Sequence, residues 1–141
     1  MATDVKKIIK DYILAINSHD VNKILSFWAD DGIREDVALE IINHGKKEVT
    51  AFYNTAFVNF PDWKVELKSV FGAGDWAVLE YVLSGTQVHS SQPVVPATGK
   101  TFSFRGAEIF QFRNGKISKA SDYYNMATIM QQLGLMPAQP K

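Results

Sequence analysis

The sequence predicts an α+β fold in which three N-terminal helices pack on a strongly curved, mostly antiparallel sheet, a cystatin-like cone with an internal pocket and a short C-terminal helix. Apolar residues recur at helical spacing in the first part of the chain. From Trp63 onward the period changes to two, as half-buried strands require. The 141 residues contain no repeat, low-complexity tract or linker, so residues 1–141 are expected to form one domain around one core.

Val5, Ile8, Ile9, Tyr12, Ile13 and Ile16 follow a Thr3 cap and make the first amphipathic helix, with Tyr12 inside its apolar stripe. Asn17-Ser18-His19-Asp20 is a capping cluster. It opens a second helix carrying Ile24, Leu25, Phe27 and Trp28, which stops near Asp30-Asp31-Gly32. Short strands are expected at 33–37 and 40–43. A third helix begins at Gly45, places Val49, Phe52, Tyr53, Ala56, Phe57 and Phe60 on one face, and ends at Pro61. Trp63 to Phe71 alternates as a strand. Trp76 to Leu83 is apolar at almost every position, which an antiparallel strand needs only when both faces are covered. One face would meet the pocket, and the other a second copy in a homodimer formed through the sheet. His89 to Gly99 contains Pro93 and Pro96 and reads as a loop at the pocket rim. The segments 102–112 and 117–125 form a hairpin, and 126–135 a closing helix.

Composition excludes several function classes. Fifteen Lys plus Arg balance fifteen Asp plus Glu, so no global field draws in nucleic acid or a membrane surface, and a small apolar molecule is the expected partner. Without cysteine there is no disulfide, thiolate or Cys-based zinc site, which fits a reducing compartment. His19, His44 and His89 have no ligand spacing, so neither metal nor cofactor is expected. The N-terminal residues lack an apolar run long enough for a signal peptide or a spanning helix, and a cytoplasmic location is the default expectation.

The chemistry is concentrated in the hairpin. Phe102, Phe104, Phe110 and Phe112 share one face with Glu108, so a carboxyl group points into an aromatic interior. Arg113-Asn114-Gly115 fits a three-residue loop that pairs Phe112 with Lys116. That register puts Ser118, Ala120, Asp122 and Tyr124 on the Phe face, with Glu108 and Asp122 as diagonal neighbours roughly 7 Å apart. A two-residue loop would send Asp122 to the opposite face. Burial and the second carboxylate both raise the pKa of Glu108, and a neutral acid can donate a hydrogen bond. The plainer alternative is that Glu108 pairs with a buried tyrosine or lysine. Asp36 alternates with Arg34 and Ala38, opposite Ile33, Val37 and Leu39; it faces either solvent or the pocket, and in the pocket Arg34 would hold it ionised. Of the aromatic residues Trp28, Tyr53, Phe57, Trp63 and Trp76, two are expected to line the pocket and the rest to fill the core.

The run from Lys10 to Asn17, continuing through Phe27-Trp28-Ala29-Asp30-Asp31-Gly32-Ile33-Arg34-Glu35-Asp36, resembles the opening of the ketosteroid isomerases. The resemblance implies that Tyr12 and Glu108 donate hydrogen bonds to a substrate oxygen while Asp36 moves a proton. Isomerases of that family hold a neutral carboxylic acid in an apolar site, there an aspartate. Gly85-Thr86-Gln87, Thr98-Gly99-Lys100, Asn114-Gly115-Lys116-Ile117 and Gln132-Leu133-Gly134-Leu135 are similar to the SnoaL-like polyketide cyclases, whose catalytic aspartate matches Asp122. Both families belong to the nuclear transport factor 2-like superfamily. The Arg and Asp of its limonene epoxide hydrolases are absent from Glu80-Tyr81-Val82-Leu83.

The expected function is therefore acid–base proton transfer beside a carbonyl, as in isomerisation or aldol-type cyclisation of a polyketide- or steroid-like substrate, with Tyr12, Asp36, Glu108 and Asp122 as catalytic residues. Non-catalytic binding of a small molecule and dimeric association are the competing readings.

Overall fold

The computed structural model describes residues 4–91 and 96–137. Thr3 and Pro93 lie outside the described residues. The first helix, α1 (Val5–Ser18), is capped by the side chain of Asp4, which accepts the Lys7 N–H at 3.1 Å. Helix α2 (Val21–Leu25) starts at Asp20, as the capping cluster predicts, but ends well before Trp28. Trp28 instead opens a long strand, β1 (Trp28–Asp36). The local apolar pattern is overridden by strand pairing: the Ile117 N–H donates to the Phe27 carbonyl at 2.8 Å, and Trp28 pairs with Ile117. Between Trp28 and Ile33 the register shifts, and Asp30 and Asp31 lie exposed. Gly32 sits at this irregularity because a Cβ there would stand 2.7 Å from the Trp28 ring.

Strand β2 (Ile41–His44) and helix α3 (Gly45–Asn59) follow, then β3 (Lys64–Ala73), β4 (Trp76–Thr86), β5 (Thr101–Arg113), β6 (Lys116–Tyr124) and α4 (Met126–Gln132). The sheet order is β2-β1-β6-β5-β4-β3. Only β1 and β6 run parallel; the other neighbours are antiparallel. Helices α1 and α3 cover the concave face, where Ile9, Tyr12, Trp28, Leu79, Phe110 and Ile117 are almost completely buried. At about 25 cal/mol per Å² of apolar surface, each such side chain contributes on the order of 2 kcal/mol.

The β5–β6 turn corrects one expectation. Arg113 pairs with Lys116, so the loop is the two-residue Asn114-Gly115, and both residues have positive φ (53° and 73°), as the tightest hairpin turn demands. Such a loop by itself would turn Asp122 outward. The register then shifts between Phe112–Ile117 and Gln111–Lys119, leaving Ser118 as an extra residue whose hydroxyl donates to the Gln111 carbonyl at 3.1 Å. This bulge reverses the flip, so Ile117 rather than Ser118 joins the Phe face. Glu108 and Asp122 become directly opposed instead of diagonal.

Strand β4 buries Ala77, Leu79, Tyr81 and Leu83, whereas on its outer face Val78 and Val82 are half-buried and Glu80 is exposed. A single chain thus leaves the outer face partly open. No helix among the described residues is long and apolar enough to cross a membrane.

Candidate active site

A cavity of about 240 Å³ lies between α1, α3, α4 and the concave face of the sheet. Strand pairing builds its polar end. Glu108 on β5 is paired with Asp122 on β6, and Asp122 with Asp36 on β1, so three carboxyl groups stand in one row across three adjacent strands. Directly opposed residues have Cα atoms about 4.5–5.5 Å apart. One cation offsets the three. Arg34 lies two residues before Asp36 on the same face, only 6 % exposed, with its Nη2 3.8 Å from Asp122 Oδ2 and its guanidinium 3.5 Å over the Phe52 ring. Of the two orientations open to Asp36, the structure adopts the inward one: it is 6 % exposed and lines the cavity.

The carboxyl groups differ in their partners. Asp36 is held at both oxygens, Oδ1 accepting the Leu39 N–H at 2.9 Å and Oδ2 the Tyr124 hydroxyl at 2.7 Å. Asp122 Oδ1 accepts the Tyr81 hydroxyl at 2.6 Å, and its Oδ2 lies 3.8 Å from Arg34 Nη2. Glu108 has no hydrogen bond or ion pair among the described residues; the plainer reading of it as the partner of a tyrosine or lysine does not hold. Burial, reinforced by the charge of Asp122, pushes the Glu108 carboxyl up to about 8 against the opposing pull of Arg34. Burial also pushes Asp122 up, to about 6, held back by the Tyr81 hydrogen bond and Arg34. Near neutral pH the opposed pair therefore keeps a proton, with Glu108 the weaker acid of the two.

Tyr12 stands one step behind the cavity rather than on its wall. It is 1 % exposed, accepts the Trp28 Nε1–H at 3.1 Å, and shares a short hydrogen bond with the Tyr53 hydroxyl. Tyr53, unlike Tyr12, lines the cavity, as do Tyr81 and Tyr124. Burial raises the phenols of Tyr12 and Tyr53, so both are neutral donors.

Of the five aromatic residues singled out in the sequence, Tyr53 and Trp63 line the cavity. Trp28 is a core residue supporting Tyr12, Phe57 stacks on the His19 ring with centroids 4.1 Å apart, and Trp76 is half-exposed at the start of β4. These three are not wall residues because packing partners other than a ligand already take up their ring faces or because they lie at the sheet's far end. The apolar run of β4 does not by itself mark Tyr81 as a site residue. Its signal is Gly106, its cross-strand partner, where any Cβ would collide with the Tyr81 ring. The missing side chain lets Tyr81 lie across β5 and reach Asp122 on β6.

The model of the SnoaL-like polyketide cyclases matches residues 6–133. No curated protein gives a significant match to the chain. Among solved structures, AclR from Streptomyces galilaeus superposes with a TM-score of 0.81 at 24% identity, covering 96% of this chain and 88% of that one. A protein of ketosteroid isomerase-like fold from Catenulispora acidiphila, solved in complex with trimethylamine, gives 0.79 at 20% identity and covers 95% of each chain. TsrD from Streptomyces laurentii gives 0.81 at 22% identity, covering 94% of this chain and 96% of that one. At these identities the superpositions show the shared cone fold, and the match over nearly the whole length shows that the chain belongs to the SnoaL-like polyketide cyclases, a family of small-molecule enzymes.

Proposed function

We propose that the protein catalyses proton transfer next to a carbonyl group, in an isomerisation or aldol-type ring closure, on a small, mostly apolar substrate. The observation that carries this reading is the directly opposed pair of Glu108 and Asp122 in the cavity, where the Glu108 carboxyl has no hydrogen-bond partner among the described residues. Asp122 is the base: its pKa is raised toward the working pH, and Arg34 and Tyr81 hold it in place. Asp122 takes the proton from the carbon beside the carbonyl, and the electron pair moves onto the carbonyl oxygen. Neutral Glu108 and Tyr53 donate hydrogen bonds to that oxygen as it gains charge. Tyr12 acts through Tyr53 as a positioning residue. Asp36, already bonded at both oxygens, positions Tyr124 and the 37–40 turn. The volume of about 240 Å³ is below the common range of about 300–1,000 Å³, which favours a substrate of one or two rings.

Exchange of the α-hydrogens of benzylacetone in deuterium oxide, followed by NMR, tests this without knowledge of the natural substrate. The protein should accelerate exchange over buffer, and Asp122→Asn should lower the rate about 10²-fold or more. Glu108→Gln should also lower it, by about 10-fold or more, because an amide donates less strongly than a neutral acid. Exchange no faster than in buffer, or unaffected by either substitution, would sink the proposal.

The half-exposed outer face favours a second part of the reading, a homodimer formed through the sheet. Phe71 pairs with Val78 and Val78 with Ile109, so an apolar row runs across three strands, and Phe71 is 62% exposed. Sedimentation equilibrium should give twice the chain mass; a monomer at micromolar concentration would contradict it.

A further inference from the structure

The cavity wall carries a second polar pair outside the carboxyl row. Trp63 and Asn59 both line the cavity, at the turn that joins α3 to β3. Trp63 Nε1 and Asn59 Oδ1 are buried, and neither has a hydrogen-bond partner among the described residues. Buried polar atoms are nearly always satisfied, and leaving one unpaired is costly. One is a donor and the other an acceptor. The rest of Asn59 is fixed: its Nδ2 donates to Ser91 Oγ at 3.3 Å, and its carbonyl accepts the Val88 N–H at 3.0 Å. Trp63 is likewise held, its ring 5.7 Å from that of Phe60, which in turn packs against Phe102. Neither polar atom can turn away to solvent without disturbing this packing.

Asn59 lies six residues beyond Tyr53 on α3, about 9 Å along the helix axis. On the sheet, Phe102 lies six residues before Glu108 along β5. The orphan pair is therefore at the opposite end of the cavity from the acids, with apolar wall between them.

We infer that Asn59 and Trp63 form a distal subsite for a hydroxyl group, so that the substrate is a ketone whose far end carries an alcohol or phenol. A single hydroxyl can accept from an indole N–H and donate to an amide oxygen at the same time. The inference rests on the proposed function for the identity of the carbonyl end, but it is read out by binding alone.

The test is a matched pair of ligands, para-hydroxybenzylacetone and benzylacetone, which differ by one hydroxyl about 9 Å from the carbonyl. Their dissociation constants are measured by titration calorimetry on the wild type, Trp63→Phe and Asn59→Leu. The wild type should prefer the hydroxylated ketone about 5- to 10-fold, the range of one or two net hydrogen bonds. Either substitution should reduce the preference toward one while benzylacetone still binds. A wild-type ratio near one, or a preference that survives both substitutions, overturns the subsite and leaves the carbonyl chemistry standing. Failure of the wild type to bind either ketone overturns both.

Discussion

Replacing Glu108 by glutamine should change how stability depends on pH more than it changes stability at acid pH. In the folded protein the Glu108 carboxyl is raised from an ordinary 4.5 to about 8, so the folded state binds this proton more tightly than the unfolded state does. A raised acid contributes its full stabilisation below the unfolded value and loses it as pH rises through the folded value. Stability of the wild type should therefore fall between about pH 5 and pH 8. At about 1.4 kcal/mol per pH unit the ceiling is about 5 kcal/mol. Glu108 keeps contact with the cavity and shares its proton with Asp122, so the realised loss is a few kcal/mol. Glutamine has the same shape, stays neutral and removes most of this slope. Urea denaturation at pH 5.5, 7 and 8.5 gives the free energies directly. Parallel pH profiles for wild type and Glu108→Gln would refute the claim that this carboxyl is held protonated by its surroundings.

Gly106→Ala drives a methyl group into the Tyr81 ring, and should destabilise by about 1–3 kcal/mol while weakening the hold on Asp122; thermal denaturation and the exchange rate read the two effects. Tyr53→Phe should slow exchange about 10-fold or more, and Tyr12→Phe distinctly less, since Tyr53 lines the cavity and Tyr12 does not; equal losses would contradict that order. Deleting Ser118 removes the bulge but leaves Lys119 opposite Gln111 and Asp122 opposite Glu108, so exchange should stay well above the Asp122→Asn level; a fall to that level would contradict the register. Leu79→Ala, at a site 1 % exposed beside Glu108 on the neighbouring strand, should cost about 2–5 kcal/mol in denaturant unfolding.

The elements that were legible in the sequence are those whose burial repeats along the chain. The stripe of α1, the aromatic face of α3 and the Phe face of β5 each state their own orientation, and Glu108 follows from the last. What was not legible depends on partners far away in sequence. Trp28 follows a helix in an apolar run, and only pairing with Ile117 makes it a strand residue. Periodicity could not choose a face for Asp36, because the pair turned inward here is the polar one, offset by partners from β6 and α3. The hairpin contains two deviations that cancel, a shorter loop and a bulge at Ser118. Asp122 therefore reaches the predicted face by a different route. Tyr12 shows the limit of spacing: the pattern placed it in the interior, but not behind Tyr53.

The pH profile of benzylacetone exchange tests the central claim most directly, because it asks whether the opposed acids divide the roles of base and donor. Exchange should rise as the pair loses its first proton near pH 6 and fall as it loses the second near pH 8, giving a bell whose alkaline limb disappears in Glu108→Gln. A profile without an alkaline limb, or one that Glu108→Gln leaves unchanged, would contradict the account.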